Sequence, residues 1–387
     1  MNIDFQLLQD TFLNEYRYRK PYLFKQAVSL PDKETVWRGI NEMYQRANPA
    51  DDLFKFRKGA LIPKEHYVES FNDVGRIRYR FKKAAVYEYL KDGATLVYNR
   101  INNEPFSDNI ARQIARFTQA HTIVSGYLAF GEDASYKNHW DTRDVFAVQL
   151  IGKKHWSLSA PNFDMPLYMQ QSKDLPHIPE PETADMEVVL EAGDILYIPR
   201  GWWHNPVPMG CETFHLAVGT FPPNGYNYME WLMKKVPDIA GFRHSLQNWT
   251  HDEGRLKAAA EEFAAQITKS TNYETFIQEF LGDQRTDSGF SFEILGNPYS
   301  EGLPEDALLS LNTVDDSTLE KGYLIANGIK LNIDDASTSV LNTLKQEGTV
   351  SMKQLINTQN NQNRLKTSEM IRHLAQLDIL EIQEREK

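Results

Sequence analysis

Short apolar runs fill the central third of the chain, and they predict a series of β-strands. The runs cover residues 122–129, 145–150, 155–158, 186–190, 195–198 and 213–221. Each run carries β-branched or aromatic residues and is separated from the next by turn-forming residues. We therefore expect a jelly-roll of eight strands at the centre of the chain.

Helical spacing of apolar residues occurs on both sides of this core. It predicts helices over residues 5–16, 33–46 and 110–120 upstream, and over 228–235, 252–269 and 273–281 downstream. Residues 53–79 alternate apolar and charged positions instead, which predicts a half-buried sheet. A segment rich in Pro, Asp and Gln, 161–185, interrupts the core. Loops of this length usually cover or line a site.

Residues 289–298 combine Gly, Ser, Asn and Pro and indicate a domain boundary. Beyond it, strands are predicted over 323–326, 329–333 and 379–382, and helices over 337–346, 351–357 and 367–377. This order resembles a winged helix, but the segment lacks a basic recognition helix, so we expect a structural or protein-contact role. The predicted fold class is α+β, with domains at residues 1–225, 226–290 and 291–387.

The chain is acidic, with a formal net charge of -11. On average it repels nucleic-acid phosphates and attracts basic proteins, so we expect no direct nucleic-acid partner. No apolar run is long enough for a membrane span, and the N-terminus lacks the basic head and apolar centre of a signal peptide. A single cysteine, Cys211, excludes an internal disulfide and favours a reducing compartment, so we expect a cytoplasmic location.

One stretch, residues 138–155, carries the strongest chemical pattern. Residues two apart on a strand face the same side, so His139 and Asp141 can present an imidazole and a carboxylate to one point. The best third ligand is His204, at the end of the sequence EAGDILYIPRGWWHN. Two His and one carboxylate form the facial triad of Fe(II) oxygenases, in which one side of the metal stays open.

Lys154 shares a face with Trp156 and Leu158, which are expected to point inward, so its charge should need a partner. His155 should face the other way and is left out of the metal site. Lys153 is interpreted as a solubilising turn residue.

The HWD triplet, the run DVFAVQLIGKKHW and the run GDILYIPRGWWH together resemble the JmjC branch of the 2-oxoglutarate oxygenases, within the cupin superfamily. Within that branch the chain is most similar to the ribosomal oxygenases, which hydroxylate a side chain of a ribosomal protein. The resemblance implies a double-stranded β-helix core, a helical middle region that forms a homodimer, and a small C-terminal domain. It also implies Fe(II), 2-oxoglutarate and dioxygen as cofactor and cosubstrates.

The resemblance implies that Lys154 binds the distal carboxylate of 2-oxoglutarate. Tyr136 is a second candidate for that carboxylate, with simple packing as the alternative. His215 is expected either to line the pocket and orient a bound molecule or to pack, and Gly219 to keep room near the metal. Arg143 and Asp144 lie beside the predicted mouth and are candidates for substrate contact, with ordinary exposed charges as the alternative.

The sequence therefore predicts a 2-oxoglutarate-dependent dioxygenase that hydroxylates a protein side chain, with a basic ribosomal protein as leading substrate. A first alternative keeps the chemistry but changes the substrate to another peptide, a small molecule or an N-methyl group. A second alternative is a cupin without activity that serves as a binding module or scaffold.

Overall fold

The structure is a computed structural model that describes residues 1–284, 288–296, 303–358 and 364–383. The end of the predicted boundary at 289–298 lies outside the described residues. The chain forms two compact units, one of residues 1–118 and 122–221, the other of residues 119–121 and 222–387. Within the described ranges, every helix falls short of the length and hydrophobicity needed to cross a bilayer.

The first unit consists mainly of strands. In chain order they are β1 (Asn2–Ile3), β2 (Tyr22–Phe24), β3 (Val28–Ser29), β4 (Phe54–Lys58), β5 (Ala60–Ile62), β6 (Val68–Asp73), β7 (Arg76–Phe81), β8 (Thr95–Ile101), β9 (His121–Ala129), β10 (His139–Trp140), β11 (Asp144–Ile151), β12 (Lys153–Ser159), β13 (Met186–Glu191), β14 (Ile195–Ile198), β15 (Trp203–Pro208) and β16 (Thr213–Phe221). The helices are α1 (Gln9–Thr11), α2 (Lys33–Arg46), α3 (Lys83–Lys91) and α4 (Pro105–Thr118), with 3-10 turns at Lys64–His66 and Ser172–Asp174.

Strands β9 to β16 form the jelly-roll. Strands β14, β11, β16 and β9 are neighbours in an eight-stranded sheet, which β2 extends on one side and β8, β4 and β5 extend on the other. The remaining four form a second sheet in the order β10, β15, β12 and β13. The pattern of short apolar runs therefore predicted the strands of this core, apart from β10 and β15.

Alternation along the strands separates two apolar cores. Ala147 and Leu196 of the large sheet pack with Trp156 and Leu158 of the small sheet, which fills the space between the sheets. The alternate residues of the same strands, such as Phe146, join the larger core with α2 and α4 on the outer face. Side chains of the large sheet thus face either the interior of the jelly-roll or the helices.

The N-terminal helix predicted over residues 5–16 is wrong in extent. The α-helix spans only Gln9–Thr11 and continues as a π-helical turn over Phe12–Tyr16. Phe5 stacks on Phe117 and Phe12 is fully buried, whereas Leu8 is 78% exposed. The helical residues therefore begin only at Gln9, and Leu8 lies before them.

The turn between β11 and β12 requires glycine at position 152. Gly152 has a positive φ of 64°, and a Cβ built there would lie 1.8 Å from the carbonyl oxygen of Glu212. We expect Gly152→Ala to lower the free energy of unfolding by roughly 3 kcal/mol or more, because strain and a backbone clash add. Denaturant unfolding measures this, with Gly59→Ala as the matched control. Gly59 also has a positive φ but open space around it, so its change should cost only about 1 kcal/mol. Equal losses in the two variants would contradict the clash.

The second unit begins with helices α5 (Gly225–Met233), α6 (Trp249–Ile267) and α7 (Ser270–Gly282), with 3-10 turns at Val236–Asp238 and Ala240–Arg243. Its later elements are β17 (Leu308–Leu311), β18 (Tyr323–Ala326), β19 (Ile329–Asn332), α8 (Asp335–Glu347), β20 (Thr349–Ser351), α9 (Met352–Thr358), α10 (Arg364–Gln376) and β21 (Leu380–Gln383), with 3-10 turns at Phe292–Leu295 and Leu319–Lys321. Strands β20, β17 and β21 form one sheet and β18 and β19 a hairpin. The winged-helix assignment and the three-domain division stay predictions.

Candidate metal centre

Sheet pairing brings the three predicted ligands together. Strand β10 pairs with β15 in a register that places His139 opposite His204, and Asp141 follows β10 directly. The ligand atoms of the three side chains all lie within 4.8 Å of one another, and His204 Nε2 is 3.6 Å from Asp141 Oδ2. His204 follows Asp141 and His139 by 63 and 65 residues in sequence, and the pairing of two strands brings the three side chains together.

Backbone carbonyls fix which ring nitrogen each histidine presents. His139 Nδ1 lies 2.8 Å from the carbonyl oxygen of Lys137, and His204 Nδ1 lies 3.0 Å from that of Trp202. A carbonyl oxygen only accepts, so each Nδ1 carries the proton and donates. Each Nε2 keeps its lone pair for a metal, which is the usual arrangement of metal-binding histidines.

The charges around the triad favour the forms that bind a metal. Burial alone would raise the pKa of Asp141, but the positive charge of Arg143 and the neighbouring imidazoles hold that pKa below its ordinary value. Burial is the main cause that lowers the pKa of His204 to about 4. An anionic carboxylate and neutral imidazoles are the ligand forms that a divalent first-row metal requires. The donor set therefore fits Fe(II).

The triad lies in a cavity of about 1240 Å³ that is lined by residues of the first unit alone. Part of its wall comes from the long loop 161–185, as predicted from its length. Trp140 donates its indole N–H to the carbonyl of Gln170, and Trp203 donates to the side chain of Asn162. These two tryptophans lie next to predicted metal ligands, and their hydrogen bonds connect the loop to the small sheet.

Lys154 is buried with 1% of its surface exposed, and it lies on β12 in the same alternation as Trp156. Burial lowers the pKa of its ammonium group to about 7. Among the described residues, none forms a hydrogen bond or ion pair with Lys154 Nζ. A buried cation without a counter-charge is costly, so the site fits an incoming carboxylate. Lys153 is exposed, as predicted.

His215 and Tyr136 both line the cavity. The ring of His215 stacks on Tyr127 at 4.8 Å and meets Trp156 edge-on, and its buried Nδ1 has no hydrogen-bond partner. Burial, together with the charge of Lys154, lowers the pKa of His215 well below its ordinary value. A neutral His215 therefore offers an unpaired polar atom near Lys154, while the part that Tyr136 plays stays a prediction.

Arg143 also lines the cavity, and Gly219 makes room for it. A Cβ at Gly219 would lie 2.5 Å from Arg143 Cδ. The space expected at Gly219 is thus taken up by the Arg143 side chain rather than left open beside a metal. Arg143 lowers the pKa of Asp141, so its position links it to the triad as well as to the predicted mouth.

The prediction that Asp144 contacts a substrate disagrees with the structure. Asp144 is 2% exposed and does not line the cavity. It shares the parity of Phe146 on β11 and points to the helix-covered face. The backbone N–H of Arg200 donates to it at 2.9 Å, and the hydroxyl of Tyr197 donates at 3.3 Å. Its role is therefore structural.

Burial raises the pKa of Asp144 to about 6. Because this pKa lies above the unfolded value, the stabilising contribution of Asp144 is fully present below pH 3.8 and is lost as pH rises through 6. We expect Asp144→Asn to flatten the stability profile between about pH 4 and pH 7. Urea unfolding across that range measures it. A large rise in the KM of a substrate in this variant would instead indicate that Asp144 contacts the substrate.

Some lining residues were not singled out from the sequence. Tyr127 comes from β9, and Arg57 comes from β4 and covers the ring of Tyr136 at 4.4 Å. Alternation within β9 could have indicated that Tyr127 faces inward. Nothing local marks Arg57, because its strand joins the sheet through β8.

Comparison with known proteins agrees with this fold. Residues 96–228 match the family described as the JmjC domain. A bifunctional lysine-specific demethylase and histidyl-hydroxylase NO66 from Aedes aegypti is 32% identical over 56% of this chain and 33% of its own length. Ribosomal oxygenase 1 from Gallus gallus is 27% identical over 44% of this chain and 28% of its own length. The chain thus spans about a third or less of these two relatives.

Solved structures of the ribosomal oxygenase YcfD from Escherichia coli match nearly the whole chain. One has a TM-score of 0.57 at 14% identity and covers 99% of this chain and 100% of that protein. Another, in complex with cobalt and 2-oxoglutarate, has a TM-score of 0.56 at 14% identity and covers 98% and 99%. The predicted jelly-roll core, within a mixed α+β chain, is confirmed.

Proposed function

We propose that this chain, which contains a JmjC domain, is an Fe(II)- and 2-oxoglutarate-dependent hydroxylase of a protein side chain. The observation that carries the proposal is the triad of His139, Asp141 and His204 with both Nε2 lone pairs free, together with a buried and unpaired Lys154 whose charge acts on His215 of the cavity wall. A scaffold protein has no use for a cation buried at this cost. The matching relatives bear the names of hydroxylases, a demethylase and oxygenases, which supports the same chemistry.

In the proposed reaction, Fe(II) supplies the redox chemistry by which dioxygen oxidises 2-oxoglutarate to succinate and carbon dioxide and a C–H bond of the substrate to C–OH. The chain supplies position and environment. His139, Asp141 and His204 hold one face of the metal, and Lys154 pairs with a carboxylate of 2-oxoglutarate. His215 adds a polar contact to the bound cosubstrate, and the walls of the cavity exclude water.

The test is succinate formation by the purified protein with Fe(II), 2-oxoglutarate and oxygen, with and without cell lysate. We expect slow turnover without lysate and faster turnover with it, since substrate oxidation couples the two halves of the reaction. Protein that binds Mn(II) and 2-oxoglutarate yet forms no succinate under either condition would instead be a binding module.

For the substrate, we propose a ribosomal protein. The relatives named ribosomal oxygenase support this, and the net charge of -11 favours approach of a basic protein. Incubating ribosomal proteins with the enzyme and searching for peptides that gain one oxygen atom tests it. Loss of a methyl group instead would indicate demethylation, which the name of the NO66 relatives keeps as the second candidate.

We also propose a homodimer formed through the helices α5, α6 and α7. Tyr228, Leu232 and Phe276 form a buried cluster among these helices, while Trp249 and Tyr273 remain 65% and 55% exposed. Exposed aromatic residues of this size are enriched at protein interfaces. Light scattering after gel filtration should give twice the chain mass, and Trp249→Glu with Tyr273→Glu should give the monomer mass.

A further inference from the structure

The cavity that leads to the triad is strongly cationic, although the chain as a whole is acidic. The cations that line it are Lys55, Arg57, Arg100, Lys137, Arg143 and Lys173. Apart from the predicted metal ligand Asp141, the lining acids are Asp52 and Glu180. In a chain of net charge -11, this concentration of positive charge at one place sets the cavity apart from the average surface.

Within the described ranges of the chain, none of these six cations forms an ion pair, although the charge of Arg143 acts on the carboxylate of Asp141. Among the described residues, no carboxylate lies within 4 Å of any of their charged groups, and the guanidinium of Arg57 instead donates to the carbonyl of Ser135. Some exposed cations elsewhere do have such partners. Lys25 pairs with Asp194 at 2.8 Å, and Arg46 pairs with Glu104 at 2.6 Å. In the part of the chain that the structure describes, other exposed cations such as Arg38 and Lys91 also have no ion-pair partner, so the cavity is distinguished by the gathering of six cations at one place.

The sheet extension beyond the jelly-roll provides much of this charge. Lys55 and Arg57 alternate with the buried Phe54 and Phe56 on β4, so they point to the cavity side of the sheet. Arg100 follows on β8, at an irregularity in the pairing with β9. Lys173 lies in the loop that forms part of the wall. The charges thus surround the approach to the metal on more than one side.

We propose that this cavity binds a peptide segment in which carboxylates flank the hydroxylated side chain. The proposal rests on the proposed function and specifies the substrate class of the same site. Unpaired cations around a cavity favour an anionic occupant, and oppose a basic one by like-charge repulsion. The substrate protein can be basic overall, because its net charge guides the approach while the cavity selects only the local segment.

A peptide fits the arrangement better than a polynucleotide does. Nucleic-acid binding usually uses a basic stripe that follows the backbone over many phosphates. Here the cations surround a cavity, and the acidic chain repels a long polyanion. A short acidic segment avoids that long-range repulsion because it carries few charges.

Direct binding tests the proposal without the need to know the acceptor residue. Fluorescein-labelled peptide pools of one length would be degenerate at the centre and flanked by Glu and Asp, by Ser and Gly, or by Lys and Arg. Fluorescence anisotropy would measure their affinity for the full chain loaded with Mn(II) and 2-oxoglutarate under nitrogen. A labelled single-stranded RNA of similar length serves as the polyanion control. We expect the acidic pool to bind tightest, by about tenfold or more over the basic pool.

A charge-reversal variant and a matched control identify the surface. Lys55→Glu, Arg100→Glu and Lys173→Glu combined should weaken binding of the acidic pool by about tenfold or more, because each reversal replaces an attraction by a repulsion. Arg38→Glu, Lys83→Glu and Lys91→Glu change the net charge equally at exposed positions outside the cavity, and this control should retain binding. The milder triple change to Gln should give an intermediate loss if the cavity variant folds poorly.

Four results would overturn the proposal. They are tightest binding of the basic pool, tightest binding of the RNA, equal losses in the two triple variants, and a loss of affinity for 2-oxoglutarate as large as that for the acidic pool. The last result would mean that the cations attract only the cosubstrate. Succinate formation by wild-type protein distinguishes failure of this inference from failure of the proposed function. Turnover without a preference for the acidic pool refutes this inference alone, whereas specific binding without turnover refutes the proposed function alone.

Discussion

His139→Ala is expected to abolish 2-oxoglutarate turnover and to weaken Mn(II) binding by at least about 100-fold. The variant removes one of three ligand atoms that lie within 4.8 Å of one another, and a metal held by two side chains loses both affinity and its fixed orientation. Isothermal titration under nitrogen measures the affinity, and succinate formation measures turnover. The same loss is expected for Asp141→Ala and His204→Ala.

His155→Ala is the matched control for this prediction. His155 lies on β12 next to Lys154, faces the other way and contacts Glu187 at 3.7 Å. Mn(II) at about 100 times its Kd should stabilise wild type and His155→Ala by about 2.7 kcal/mol, and His139→Ala by much less. If Mn(II) stabilised His139→Ala as much as wild type, the triad would not be the metal-binding site.

Lys154→Met is expected to weaken 2-oxoglutarate binding and to raise the free energy of unfolding. Loss of the ammonium should weaken 2-oxoglutarate binding by at least about 30-fold, since a buried charge partner is removed. The same change should stabilise the protein without 2-oxoglutarate by roughly 1–4 kcal/mol at neutral pH, because an unpaired buried cation is replaced by an apolar side chain. Titration with 2-oxoglutarate and denaturant unfolding measure the two effects, and Lys153→Met is the exposed control.

The pH dependence gives the same prediction a second readout. The folded pKa of Lys154 is lowered to about 7 from 10.5, so the destabilising charge is fully present below pH 7 and is lost as pH rises towards 10.5. Since 2-oxoglutarate needs the charged form, its affinity should fall by about tenfold per pH unit above pH 7. An affinity that is flat from pH 6 to pH 9 would show that Lys154 carries no part of this binding.

Local sequence determined the elements whose signals are contained in a few residues. Helix α2 spans the predicted residues 33–46 because Asp32 caps its start, accepting a hydrogen bond from the backbone of Thr35. The helix predicted from Ser337 begins earlier for the same kind of reason, since Asp334 is the cap and accepts from the backbone of Ser337. Capping and periodicity depend on neighbours in the chain, so they can be recognised without the fold.

The candidate site likewise has features that the local sequence predicts and features that only the fold determines. The spacing of His139 and Asp141 and the inward parity of Lys154 follow from strand geometry and were available from the sequence. The approach of His204 depends on the register between β10 and β15, which local residues do not encode. Asp144 was misplaced because one position of alternation decides between the cavity and the helix-covered face.

The sequence by itself determined six of the eight jelly-roll strands, the types of ligand and the overall negative charge. Only the tertiary structure decided that Lys55, Arg57 and Arg100 converge with Lys173 on the path to the triad. These residues come from strands and a loop far apart in the chain, and each charge taken alone is ordinary. Sheet pairing over long sequence distances creates the local field, so a net charge of -11 coexists with a cationic site.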